Sequence, residues 1–214
     1  MRKIKVTREY YNKGDILFKR AHIDVMPGLS VLVGANGSGK TTLLNHIKHT
    51  VSHFSDAEVY SYNDRSDGGH TMADRMGFMG DLSFVANYLT SSEGENIILG
   101  LHTQGSRIMR TLEKAIEGGK SEVWLCYDSI DSGLSIDNVL DLKEFLFAPF
   151  IEKCNQANIV PYIIVTANEY EMAKNENCID VTNMEYVKFK DYEDFHKFIV
   201  RSRKYKDKRY NMEG

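Results

Sequence analysis

Gly34-Ala35-Asn36-Gly37-Ser38-Gly39-Lys40-Thr41 fits the spacing GxxxxGK[ST], and these residue types in that order suit the holding of phosphate. Glycines let backbone N–H groups turn inward around phosphate oxygens, and a helix starting at the lysine presents its positive end to the same charge. Lys40 is then expected to reach the β- and γ-phosphates of a nucleotide, with Thr42 continuing the cradle into the helix. The Thr41 hydroxyl is the expected ligand of Mg²⁺. Asp128 ends the apolar run Val123 to Tyr127, where its carboxylate would hold that cation through water.

Particular elements must bring these groups together. Leu29 to Val33 is a short apolar strand running straight into the glycine loop, and Leu43, Leu44, Ile47, Val51 and Phe54 recur beyond it at helical spacing. Val123 to Tyr127 and Tyr162 to Val165 read as buried strands, with a helical pattern through Val139, Leu142, Phe145 and Leu146 between them. Strands alternating with helices predict an α/β fold, a mostly parallel central sheet with helices on both faces. The whole chain, 1–214, reads as one domain. Its first thirty residues form a small antiparallel β part, in which Ile4 to Val6, Ile16 to Phe18 and Ile23 to Val25 alternate with turns at Asn12-Lys13-Gly14 and Pro27-Gly28. Residues 55–122 form a reduced helical part. Residues 190–214 form a C-terminal helix with Tyr192, Phe195, Phe198 and Ile199 on one face, continued by a basic tail.

Composition narrows the classes further. The 214 residues are 42% hydrophobic and 27% charged, which excludes a disordered or fibrous chain. No apolar run approaches the roughly 20 residues of a membrane-spanning helix, and the basic start has no apolar stretch behind it to make a secretory signal. Cys126, Cys154 and Cys178 lack CxxC spacing, which argues against a zinc ribbon and for a reducing, cytoplasmic setting. The formal charge of -3 excludes a strongly basic protein.

Gly34 to Leu44, GANGSGKTTLL, resembles the Walker A segment of ABC-type ATPases, including transporter nucleotide-binding domains and SMC-like or RecF-like heads. Ser91-Ser92-Glu93-Gly94-Glu95 resembles the signature motif of the same family, with Ser92 and Gly94 at its serine and glycine positions. The resemblance implies ATP with Mg²⁺, hydrolysis, and a head-to-tail dimer in which Ser92 of each subunit closes over the other's γ-phosphate. It also implies an accessory task in DNA maintenance or in conflict between phage and host. Only about fifty residues separate Lys40 from Ser92, too few for coiled-coil arms or for a transporter's helical lobe of usual size.

Several positions depart from that family. Ser129 stands where a glutamate would polarise the attacking water, and loss of such a base costs about 10²- to 10⁴-fold in rate. Asp131 is the nearby carboxylate that could substitute; its plainer reading is a turn aspartate. Asn168 replaces a switch histidine and Ser135 a D-loop aspartate. No glutamine precedes the signature, which leaves Asn63 as the substitute for the Q-loop residue. Slow turnover follows, or a nucleotide-gated switch with none; a P-loop kinase is a further alternative, though no acceptor site is recognisable.

Other side chains carry weaker signals. His46, His49 and His53 share about 60° of a helix surface, where a metal site is conceivable but the wet face of a helix is the plainer account. Tyr11, with Tyr10 and Phe18, is a candidate to stack on adenine. Arg201, Arg203, Lys204, Lys206, Lys208 and Arg209 stand against Asp207 in the tail, which reads either as a solvated terminus or as a surface for nucleic acid or a protein partner.

Overall fold

The computed structural model describes residues 1–6, 10–11, 15–63, 93–131 and 134–211, with only the backbone course given for 10–11, 15–16, 93–103 and 209–211. At its centre is a six-stranded sheet. The strands are β5 (Gly28–Val33), β6 (Ala57–Asn63), β7 (Glu122–Asp128), β8 (Val160–Thr166), β9 (Asn177–Asp180) and β10 (Glu185–Val187), in the order β10-β9-β5-β8-β7-β6. Five run parallel, and only β10, at one edge, is antiparallel to its neighbour β9. The strand leading into the glycine loop, β5, is thus separated from the strand ending at Asp128, β7, by β8. This order decides which chain ends converge.

Every residue of β7 is buried, as expected of a strand covered on both faces. Val123, Leu125 and Tyr127 enter one core, and Trp124 and Cys126 the other. Trp124 lies across from Tyr162 in the β7–β8 register, and their rings stack 4.0 Å apart. Its indole N–H donates to Glu122 at 3.0 Å, so the buried donor is satisfied.

One core is roofed by helix α1 (Lys40–Val51), whose Leu43, Leu44, Ile47 and Val51 face the sheet. A two-stranded antiparallel ribbon of β1 (Arg2–Lys5) and β4 (His22–Val25) adds Ile4, Ile23 and Val25 to it. β2 (Tyr10–Tyr11) and β3 (Asp15–Ile16) make a second antiparallel pair. The apolar segment expected over Ile16 to Phe18 is only partly a strand. Leu17 and Phe18 lie beyond β3 and are buried, packing towards the glycine loop and α1.

The other core is covered by α2 (Glu93–Glu117), through Ile108, Leu112 and Ala115, and by a helical run after β7. That run comprises α3 (Ile136–Asp141), a π-helical stretch (Leu142–Phe147) and α4 (Ala148–Gln156). Its wider turn shifts the helical register, so Leu142 and Leu146 stay buried while Phe145 is 68% exposed, against the sequence pattern that grouped all three. A short helix α5 (Tyr170–Ala173) follows β8. Finally α6 (Tyr192–Asn211) buries Phe195 and Phe198 against the same core, each packing on Phe189. Tyr192, expected on that face, is exposed at the start of the helix.

The three cysteines are buried and unlinked, and burial pushes each thiol up to about 12. Among the described residues no helix is long and apolar enough to cross a membrane.

Candidate functional site

β5, β8 and β7 end side by side at the carboxyl edge of the sheet, where open α/β sheets place their ligands. β5 delivers the glycine loop, which passes into α1 at Lys40. Two features explain why this turn needs glycine. Gly39 has φ +105, in the left-handed region, and a Cβ there would come 2.9 Å from Leu17. At Gly34 a Cβ would lie 2.5 Å from Ser38 Oγ. Ser38 Oγ is itself buried with no hydrogen-bond partner among the described residues. The loop therefore holds an unpaired buried hydroxyl, backbone N–H groups and a helix N-terminus within one turn.

Lys40 donates from Nζ to the Gly34 carbonyl at 2.8 Å. Burial lowers its pKa, opposed by the charges of Asp131 and Asp128. Thr41 donates its hydroxyl to Asp128 Oδ1 at 2.9 Å, so the two residues expected to share a cation do meet. Asp128 gathers two further donors, Thr166 Oγ1 at 2.8 Å and Asn63 Nδ2 at 3.0 Å. Thr166 ends β8 between the two other strands, and its hydroxyl also accepts from the backbone N–H of Ser129 at 2.7 Å. Ser129 has φ +57, an uncommon conformation for a residue other than glycine. That hydrogen bond holds the strand end as it turns away from the sheet.

Asp131 is almost fully buried, at 1% exposure. Its Oδ2 accepts the backbone N–H groups of Asn168 at 2.7 Å and Glu169 at 2.9 Å, tying the turn after β7 to the turn after β8. Its Oδ1 has no hydrogen-bond partner among the described residues. Burial raises its pKa, with those two N–H groups and the charge of Lys40 acting in the opposite direction. It is thus a turn aspartate, as the plainer reading has it, held in a buried place rather than at the surface. Asn168 contributes its backbone to this link and is itself exposed.

Most of the expected site thus converges: Gly34, Ala35, Asn36, Gly37, Ser38, Gly39, Lys40, Thr41 and Thr42 on the loop, with Asp128, Ser129, Asp131, Asn63 and Asn168 at the neighbouring strand ends. Ser92 lies outside the described residues, and Gly94 falls at the start of α2. Tyr11 is on β2, and its side chain lies outside the described residues. The histidine trio does not form a metal site. Among the described residues no group of three or more His, Cys, Asp and Glu side chains could hold a metal ion. His46 meets Phe18 edge-on, and the His53 ring bonds the His49 carbonyl.

Two contributions escape the sequence pattern. Thr166 falls just after the apolar run Tyr162 to Val165 in the sequence and ends β8 in the structure, and the only cue to its role is a hydroxyl at that strand's carboxyl end. Ser202 and Lys206, within the basic tail, lie on α6 and touch the loop: Ser202 Oγ accepts from Ala35 N at 3.0 Å and Lys206 Nζ donates to the Asn36 carbonyl at 3.3 Å. Nothing in their spacing signals this.

The donors suit a triphosphate with a hard divalent cation. The loop offers N–H groups, an ammonium and a spare hydroxyl, and Thr41 and Asp128 are the oxygen-bearing residues that could hold the cation. A mostly parallel sheet, a glycine loop between β5 and α1, and a carboxylate at the end of β7 define a P-loop nucleoside-triphosphatase fold. A family model described as an AAA domain matches residues 16–211, and the chain belongs to this family of P-loop ATPases. A comparison with curated proteins finds no match.

Proposed function

We propose that the chain binds Mg-ATP on residues Gly34 to Thr42 and hydrolyses it slowly while closing head-to-tail into a dimer. The observation that carries the nucleotide site is the hydrogen bond from Thr41 to Asp128, which joins the two halves of the cation site across 87 residues of sequence. Lys40 binds the β- and γ-phosphates, exchanging the Gly34 carbonyl for phosphate oxygens. Thr41 and Asp128 would hold Mg²⁺, which supplies charge neutralisation to the phosphates when bound. Thr166 and Asn63 fix the orientation of the Asp128 carboxylate.

Asp131 takes the role of base that Ser129 cannot fill. A carboxylate with raised proton affinity and an unpartnered oxygen, close enough to Lys40 for their charges to interact, supports that assignment. In the dimer, Ser92 and Gly94 of each subunit would cap the other's nucleotide, and hydrolysis would release them. The task of such a dimer is an accessory one in DNA maintenance or phage–host conflict.

The second reading is a nucleotide-gated switch with little or no turnover. It is favoured by Ser129, held in a left-handed conformation at the position next to Asp128 where a glutamate would act. Phosphate release by wild type, Lys40→Ala and Asp128→Ala, with sedimentation of wild type and Ser92→Arg at saturating Mg-ATP, separates these readings. Release lost in both loop and strand variants supports the ATPase. A dimer without release supports the switch. A monomer at saturating Mg-ATP removes the capping role of Ser92.

A further inference from the structure

The loop's outer turn is gripped by a helix more than 160 residues away in the chain. Ser202 and Lys206 are four residues apart on α6, one helical turn, so both side chains reach from one face. Ser202, 8% exposed, accepts the N–H of Ala35, and Lys206 donates to the carbonyl of the next residue, Asn36. A Cβ at Gly37 would lie 3.4 Å from Lys206 Cδ, so the lysine stem also packs along the loop. The base of α6 is fixed by Phe195 and Phe198 in the core beneath the sheet. The helix therefore connects a packed core to the outside of the phosphate loop.

Ala35 is buried, so its N–H cannot turn to water for a substitute partner. Within the loop, the glycines that let the inner N–H groups converge also leave the outer turn free to change shape. We propose that Ser202 and Lys206 are positioning residues for nucleotide binding, acting through Ala35 and Asn36 to keep the phosphate loop in its binding-competent shape. This rests on the nucleotide reading above. A loop that is competent for only part of the time binds with an affinity reduced by that fraction. By linkage, a nucleotide that fixes the loop also steadies α6.

Binding of a fluorescent ATP analogue with Mg²⁺, measured beside the melting temperature of each variant, tests this. Ser202→Ala is expected to raise Kd about fivefold or more, Ser202→Thr to restore it, Lys206→Met to raise it about threefold and Lys206→Arg to restore it. Arg203→Ala, on the same helix with a side chain 75% exposed, is expected to leave Kd unchanged. Hydrogen exchange of wild-type residues 192–211 is expected to slow when the analogue binds, which needs no variant to fold. Kd unchanged in both Ser202→Ala and Lys206→Met, whatever happens to melting, overturns the positioning role; so does exchange in α6 that ignores the analogue. A wild-type chain that binds no analogue overturns the nucleotide reading and this inference with it.

Discussion

Thr166 stands between Asp128 and the backbone that follows it. Its hydroxyl donates to Asp128 Oδ1 at 2.8 Å and accepts from Ser129 N at 2.7 Å. β8 is thus a structural partner to the carboxylate as well as a spacer between β5 and β7. Thr166→Val is expected to lower stability by about 1–3 kcal/mol, because it leaves the Ser129 N–H without its partner and takes from Asp128 Oδ1 one of its two hydrogen bonds, and to weaken Mg²⁺-dependent nucleotide binding. Thr166→Ser should retain both. Chemical denaturation followed by the fluorescence of Trp124, the single tryptophan and fully buried, reads the first effect.

Asp128→Asn keeps the shape of the side chain but removes its charge. If Asp128 and Thr41 hold the cation, nucleotide affinity in this variant should no longer change when Mg²⁺ is replaced by a chelator. The same titration on wild type should show a clear dependence. Equal Mg²⁺ dependence in both proteins would remove Asp128 from the cation site.

Asp131→Asn separates chemistry from folding. The amide oxygen can still accept from Asn168 and Glu169, so phosphate release should fall about 100-fold or more while the melting temperature at neutral pH holds or rises. The pH dependence has a definite sign. The folded protein keeps the Asp131 proton above the ordinary value of 3.8, where the unfolded chain has lost it, so this residue makes stability fall as pH rises through that window. Turnover through the ionised carboxylate should rise with pH over the same range. Unchanged release in the variant would leave Asp131 a purely structural link.

Gly39→Ala tests the loop's backbone. A Cβ at this position is strained by φ +105 and meets Leu17 at 2.9 Å. Binding of the ATP analogue should drop at least tenfold. Gly39→Ala with Leu17→Ala relieves the contact but not the backbone, so it should recover only part of the loss.

Much of this arrangement was legible in the sequence because it is written in local patterns. Leu29 to Val33 before the glycines, the 3.6-residue spacing of Leu43, Leu44, Ile47 and Val51 after them, and the apolar run into Asp128 each specify one element and its end. Asn63, singled out in the sequence as the substitute for a Q-loop glutamine, donates to Asp128, a contact which that expectation does not contain. What local pattern could not supply was pairing order. That β8 lies between β5 and β7, bringing Thr166 to Asp128, depends on contacts between segments far apart in the chain. The helix α6 and its buried Phe195 and Phe198 follow the local pattern, and most of its basic residues are exposed; what that pattern does not contain is the contact of Ser202 with Ala35, far away in the chain. Phe145 departs from the face its spacing predicts because a π-helical stretch breaks the 3.6-residue period there.

Cys126, Cys154 and Cys178 are all buried, their thiols held up to about 12. The folded protein should consequently be almost blind to maleimide, since only a thiolate attacks it readily. A lone cysteine engineered at Arg203 would then take a spin label or dye with negligible background, without first stripping the native sulfurs. Paired labels on two copies would report their separation as nucleotide is added.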